Sequence, residues 1–154
     1  MVPFHLLFPE VARLETRAVI LLDTNPFSLP PDTYGLVDLY CEQSGCDCRR
    51  VMLNVVSDKA RRQVATINHG FEPSPLEPEQ TFLDPLNPQT DLSLRLLRLV
   101  RDHVLRDEAY VARLYQHYRM LKDAVNDPRH PAQKVLRALP SLRRSPRSRK
   151  TRRH

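Results

Sequence analysis

All three cysteines of this 154-residue chain fall within eight positions, at Cys41, Cys46 and Cys48. Their C-x4-C-x-C spacing places three thiols on one short polar turn between two apolar runs. Thiolates on such a turn converge on a soft metal ion, and zinc is the ion that such sites usually hold. Gly45 permits the sharp bend that convergence requires. The cluster therefore predicts a zinc site with these three cysteines as ligands.

A tetrahedral zinc site needs a fourth ligand, and the strand pattern suggests a candidate. If a simple hairpin turns around residues 57–60, the residue that faces Cys48 across the hairpin is His69. A histidine in this place would complete a Cys3His site. His69 is therefore the predicted fourth ligand, and His5 is the alternative.

The two residues that follow Cys48 are arginines, which can balance the negative charge of the site. Three thiolates around one Zn²⁺ leave a net negative charge, which Arg49 and Arg50 would offset from just outside the ligands. If the metal is present, a structural role is favoured over catalysis, because catalysis needs an open coordination position and a nearby acid–base residue. The sequence contains no HExxH or GxSxG motif. We predict no catalytic residues.

Two other uses of the cysteines stay open. The cluster can be one buried thiol with two incidental ones, since free cysteine often behaves as a small apolar residue. It can also form a reversible disulfide between Cys41 and Cys46, as in a thiol-redox enzyme or sensor.

The cysteines must be positioned by a small sheet. Branched and alternating apolar residues predict about four strands, over 16–22, 34–40, 50–56 and 61–68, joined mainly as antiparallel hairpins. The cluster falls between the second and third of these. Residues 73–89 hold five of the fourteen prolines and show almost no periodicity, which predicts an extended connector.

The second half of the chain is predicted to be helical. Residues 90–127 contain two apolar stripes at helical spacing with almost no loop between them, so we expect a two-helix hairpin packed on one face of the sheet. His103 and His117 lie near these stripes and are expected to be partly buried core residues. The predicted fold class is α+β, with a single zinc-stapled domain over residues 1–142.

The basic character of the chain is concentrated at its end. The net charge of +6 becomes −1 when the seven positive residues of 143–154 are removed, so the predicted domain is nearly neutral. Without apolar residues, this segment is expected to be disordered. The favoured interpretation is a solvated tail that binds polyanions promiscuously, and the alternative is a segment that contacts nucleic acid through its phosphates. The positive residues are Arg143, Arg144, Arg147, Arg149, Lys150, Arg152 and Arg153.

Targeting signals are not evident. The apolar start of the chain is short and lacks a positive leader, and no stretch approaches the roughly 20 apolar residues of a membrane helix. An odd number of cysteines without a secretion signal favours a reducing compartment. We therefore predict a cytoplasmic protein, without membrane contact, in a bacterium.

Three motifs resemble those of a bacterial protein family without an assigned activity. They are Tyr40-Cys41-x4-Cys46-Asp47-Cys48-Arg49-Arg50-Val51, Phe82-Leu83-Asp84-Pro85-Leu86-Asn87-Pro88-Gln89, and Tyr110-Val111-x2-Leu114-x2-His117-Tyr118-x-Met120. The resemblance covers roughly residues 16–125 and implies metal binding. Some members of this family end in the zinc-binding SEC-C motif of the preprotein-translocase ATPase. This chain departs from them, since no Cys-x-Cys follows residue 126.

Together these patterns predict a zinc-binding module that acts by binding an unknown protein partner rather than by catalysis. Association with nucleic acid through the arginine-rich tail and thiol-redox chemistry are the two alternatives.

Overall fold

A computed structural model describes residues 1–76 and 79–139. It contains helices and a sheet, which confirms the α+β class. The strands are β1 (Val2–Pro3), β2 (Arg17–Leu21), β3 (Asp32–Tyr40), β4 (Arg50–Ser57), β5 (Arg62–Gly70) and β6 (Thr81–Leu83). The helices are α1 (Phe4–Leu7), α2 (Pro9–Glu15), α3 (Ser93–Asp102), α4 (Glu108–Asn126) and α5 (Gln133–Ala138), with a 3-10 turn at Val104–Arg106.

The six strands form one antiparallel sheet in the order β1-β3-β4-β5-β6, and β2 also pairs with β3. The four predicted strands correspond to β2 through β5. The expected number of about four is wrong, because two short strands were missed. β1 is two residues long and β6 three, which is too short for an alternating pattern to be recognised.

Buried and half-buried residues alternate along β4, and this alternation shows which face of the sheet lies against the core. Val51, Leu53 and Val55 are fully buried, while the residues between them are only half-buried. Because successive side chains of a strand point to opposite faces, one face of β4 lies under the helices and the other lies toward solvent. Branched residues at these positions suit a strand that is buried on one face.

The two long helices do not form the predicted hairpin. Helix α3 packs on β5 and β6, whereas α4 packs on β3 and β4, so the helices lie on different strands of the sheet. The 3-10 turn redirects the chain between them, and the Asp107 side chain then caps α4 by accepting hydrogen bonds from the backbone N–H groups of Ala109 and Tyr110. Arg17 of β2 holds the same carboxylate at 2.6 Å.

The N-terminal residues form an element that the sequence analysis did not predict. Pro9 sits in the first turn of α2, where its fixed φ favours helix formation. Phe4 of α1 is fully buried, and its ring stacks on that of His117 with centroids 3.8 Å apart. His117 is buried as expected, but His103 is exposed, so the prediction for His103 is wrong.

Within its described residues, the connector 73–89 contributes to the sheet. It contains β6, and the Gln89 amide continues the edge by accepting a hydrogen bond from Thr66 N and donating one to Thr66 O. No helix within residues 1–76 and 79–139 has both the length and the apolar character needed to cross a lipid bilayer.

We expect Leu53→Ala to lower the free energy of unfolding by about 2–5 kcal/mol, since the side chain is fully buried in the central strand and its removal leaves a cavity. Urea denaturation followed by circular dichroism measures this change. Leu94→Ala is the matched control, because that leucine is 69% exposed; its effect should stay within about 0.5 kcal/mol. Equal effects of the two substitutions would contradict this description of the core.

Candidate metal centre

The loop of residues 41–49 joins β3 to β4 and carries all three cysteines. Cys41 directly follows the last residue of β3, and Cys48 lies two positions before β4 begins. Since β3 and β4 are paired neighbours, with Leu39 opposite Met52, the loop leaves and re-enters the sheet at adjacent points. The three Sγ atoms lie within 4.8 Å of one another. All three cysteines are half-buried, and none of them forms a disulfide.

The tip of this loop is fastened to the last turn of α4. The Asn126 side-chain oxygen accepts hydrogen bonds from the Ser44 hydroxyl at 3.1 Å and from the Gly45 N–H at 3.2 Å. Gly45 has a φ of +74°, a conformation that glycine adopts without the penalty paid by other residues. The glycine thus turns the chain so that Cys46 comes back toward Cys41.

A buried lysine lies beside the thiols. Lys122 of α4 is only 7% exposed, and its Nζ donates a hydrogen bond to the Gln43 carbonyl at 3.3 Å. Its positive charge acts on both Cys46 and Cys48 and favours their thiolate forms. The sequence analysis missed this residue, although a lysine among the apolar positions of a helix is unusual enough to serve as a signal.

The environments of two thiols differ. The adjacent Cys41 thiol, as a hydrogen-bond partner, lowers the pKa of Cys46, and Lys122 lowers it further. Burial is the main cause that raises the pKa of Cys48 to about 11, and the neighbouring Cys41 adds to this effect. A divalent cation at the centre of the cluster would favour all three thiolates, because a coordinating thiol loses its proton.

The predicted register of the β4–β5 hairpin is wrong, and the choice of His69 depended on it. His69 lies opposite Val51, not opposite Cys48. The turn has the assumed length but lies one residue further along the chain, so that Ser57 pairs with Arg62, and a register irregularity between the two strands shifts the pairing further. These two features move His69 away from the cysteine loop and into the paired part of the sheet.

His69 instead contacts β6. Its Nδ1 lies 2.9 Å from the Thr81 hydroxyl, and the residue is buried. Burial lowers the pKa of His69 to about 4, and the nearby Arg50 guanidinium lowers it further. Among the described residues, the group of converging ligand atoms contains the three cysteines and does not contain His69. His5, the alternative, is exposed on α1.

The two arginines after Cys48 lie in different surroundings. Arg49 is exposed and pairs with Asp47 at 2.9 Å and with Glu72 at 2.7 Å. Arg50 is half-buried, with its guanidinium over the Phe82 ring at 5.1 Å from the centroid. Burial lowers the pKa of Arg50, and interaction with Cys48 opposes that shift. Arg50 and Lys122 are thus the cations that act on Cys48.

The positive residues of 143–154, predicted to contact nucleic acid, lie outside the described residues. Comparison of the chain with protein-family models, curated proteins and solved structures found no match. The resemblance to a bacterial family therefore stays a prediction carried by its three motifs. Function is inferred here from the geometry of the chain's own residues.

We expect Lys122→Met to weaken zinc binding by about tenfold, because the substitution removes the cation beside the thiolates while it keeps the length of the side chain. Competition against a chromogenic chelator measures the affinity. The matched control is Lys134→Met, at an exposed lysine of α5, which should bind zinc as the unaltered chain does. An unchanged affinity in a folded Lys122→Met variant would show that this lysine has no part in the site.

Proposed function

We propose that the protein binds one zinc ion through Cys41, Cys46 and Cys48, and that the ion fixes the β3–β4 loop as the rigid surface of a non-catalytic interaction module. The observation that carries this proposal is the convergence of three Sγ atoms within 4.8 Å of one another. The chain has no other cysteine, so every thiol that it contains belongs to this one cluster.

The distances suit a zinc ion. A Zn–S bond of about 2.3 Å places two thiolates of one tetrahedral site about 3.8 Å apart. The thiols therefore need only a small contraction to hold the ion, and the loop can supply it by side-chain rotation. Thiolate ligands favour soft and borderline ions, which supports zinc over magnesium or calcium.

The position of the cluster supports a structural role for the ion. Cys41 and Cys48 stand at the two ends of the loop, so a shared ion would tie the end of β3 to the start of β4. The loop is polar in sequence, and one backbone hydrogen bond, from Cys46 N to Gln43 O at 3.3 Å, lies within it. Because the loop has so few backbone hydrogen bonds of its own, a bound metal would order it.

The exposure of the loop supports a role in binding. Residues 43–45, together with Asp47 and Arg49, are exposed around the half-buried thiols. A loop held rigid by a metal loses less conformational entropy when it meets a partner, which strengthens association without new contacts. We therefore propose that this loop is the contact surface for a protein partner.

Elemental analysis of protein purified without a metal-affinity tag tests the zinc site. We expect about one zinc ion per chain, and a large loss of zinc in Cys48→Ser, because two thiolates hold the ion far more weakly than three. His69→Gln serves as the comparison variant. Loss of zinc from this variant as well would make His69 the fourth ligand, while absence of zinc from the reduced unaltered protein would refute the proposal.

Thiol-redox chemistry is the second candidate, because thiols this close can also form a disulfide. Alkylation with iodoacetamide separates the two functions. We expect slow alkylation of the reduced protein and much faster alkylation after a chelator is added, since bound thiolates are shielded by the metal. Equal rates with and without the chelator would favour the redox function.

A further inference from the structure

His117 of α4 lies between two carboxylates that come from different elements. Its Nδ1 is 2.7 Å from an Asp38 side-chain oxygen on β3, and its Nε2 is 2.6 Å from a Glu15 side-chain oxygen at the end of α2. The histidine is only 3% exposed. Phe4 of α1 covers the imidazole ring, with an interplanar angle of 5°. One buried ring thus contacts β3, α1 and α2 at the same time.

This geometry requires both ring nitrogens to carry a proton. A carboxylate only accepts hydrogen bonds, so each nitrogen that faces one must donate. A neutral imidazole has a single N–H and satisfies one carboxylate, whereas an imidazolium satisfies both. Burial by itself opposes the charged form, but the hydrogen bonds to Asp38 and Glu15 outweigh it and raise the pKa of His117 above its ordinary value.

The two carboxylates are held differently. Asp38 is buried, and it also accepts a hydrogen bond from the Tyr40 hydroxyl at 2.8 Å. The Glu15 side chain is 38% exposed. Other titratable groups near this cluster come from α4 itself, where Arg113 donates a hydrogen bond to the Glu15 backbone carbonyl and Tyr110 lies near Asp38. If the imidazole loses one donor, Glu15 is therefore the partner that can turn to water at little cost.

We propose that His117 is a pH-dependent clasp that holds the N-terminal segment, residues 1–15, against β3 and α4. The imidazolium binds Glu15 and Asp38 together. When the ring loses its Nε2 proton to solvent, the Nδ1–H stays with buried Asp38, and the Nε2 lone pair faces the Glu15 carboxylate. Glu15 then leaves, and α2 loses its side-chain contact with His117 of α4.

The segment released by this step covers the end of β3. Val2 of β1 pairs with Tyr40, and the Met1 amino group lies 2.6 Å from Glu42. Loosening of the segment would expose the β3 edge immediately before the cysteine loop. The clasp does not depend on metal binding, since it uses none of the three thiols.

The direction of the pH dependence follows from the raised pKa. Below the pKa of an unfolded histidine, about 6.5, the imidazolium is present in both states and its stabilising contacts are complete. The stabilisation is lost as the pH rises through the raised pKa of His117 in the folded protein. Residues 4–15 should therefore be firmly held at about pH 6 and loosened at about pH 9.

Hydrogen–deuterium exchange of the full chain, corrected for the intrinsic pH dependence of exchange, measures this loosening. We expect the protection of residues 4–15 to fall roughly tenfold or more between the two pH values, because the loss of one hydrogen bond to a charged group has an effect of this size. Protection of β4 should stay constant. Protection of residues 4–15 that does not change with pH would overturn the proposal.

The Glu15→Gln variant tests the proposal most directly. Its amide can accept from the imidazolium at low pH and donate to the neutral Nε2 at high pH. We expect it to keep the segment protected at both pH values. The matched control is His5→Gln, which removes an exposed histidine of the same segment and should behave as the unaltered chain does. A pH-dependent loss in Glu15→Gln equal to that of the unaltered chain would also overturn the proposal.

Discussion

The contact between the end of β3 and helix α4 sets the position of that helix on the sheet. The Tyr40 hydroxyl is buried 2.8 Å from the Asp38 carboxylate and 2.9 Å from the Leu114 carbonyl of α4. Polar groups buried in this way must be satisfied, because an unpaired one costs about 1–3 kcal/mol. The helix therefore cannot slide along β3 without a large penalty. This single junction fixes α4 against the strand that leads into the cysteine loop.

From that junction, one stripe of α4 reaches from the core to the loop. Leu114, Tyr118, Lys122 and Asn126 are spaced four residues apart and lie on one side of the helix. The first two of these pack in the core, and the last two meet the loop through Gln43, Ser44 and Gly45. His117 lies next to this stripe and faces α1 and α2. Helix α4 thus places both the cysteine loop and the N-terminal segment.

The features that the sequence predicted correctly are those whose signal lies in residues close together along the chain. The strands β2 to β5 were found because branched and alternating residues indicate a half-buried strand, and the three cysteines converge on a turn that their own spacing defines. β1, β6, α1 and α2 were missed, because elements of a few residues form through contacts with the rest of the fold. The predicted register of β4 with β5 was wrong, since the turn lies one residue further along the chain and one irregular position shifts every later pair.

The sequence could not predict contacts between residues that lie far apart along the chain. Asn126 meets Ser44 across a separation of 82 residues, and His117 meets Glu15 across 102. Neither pairing can be read from local spacing. The buried Lys122 is the exception, because its place between apolar positions of a predicted helix marks it as unusual before any fold is known.

The fastening of the loop to Asn126 has a consequence for local stability. Asn126 is the final residue of α4, and the ends of helices fray more readily than their middles. When the last turn unwinds, the loop loses both hydrogen bonds at once, so the two segments open together as one cooperative unit. That unit requires less free energy to open than the whole domain, so access to the cysteines is coupled to the last turn of α4.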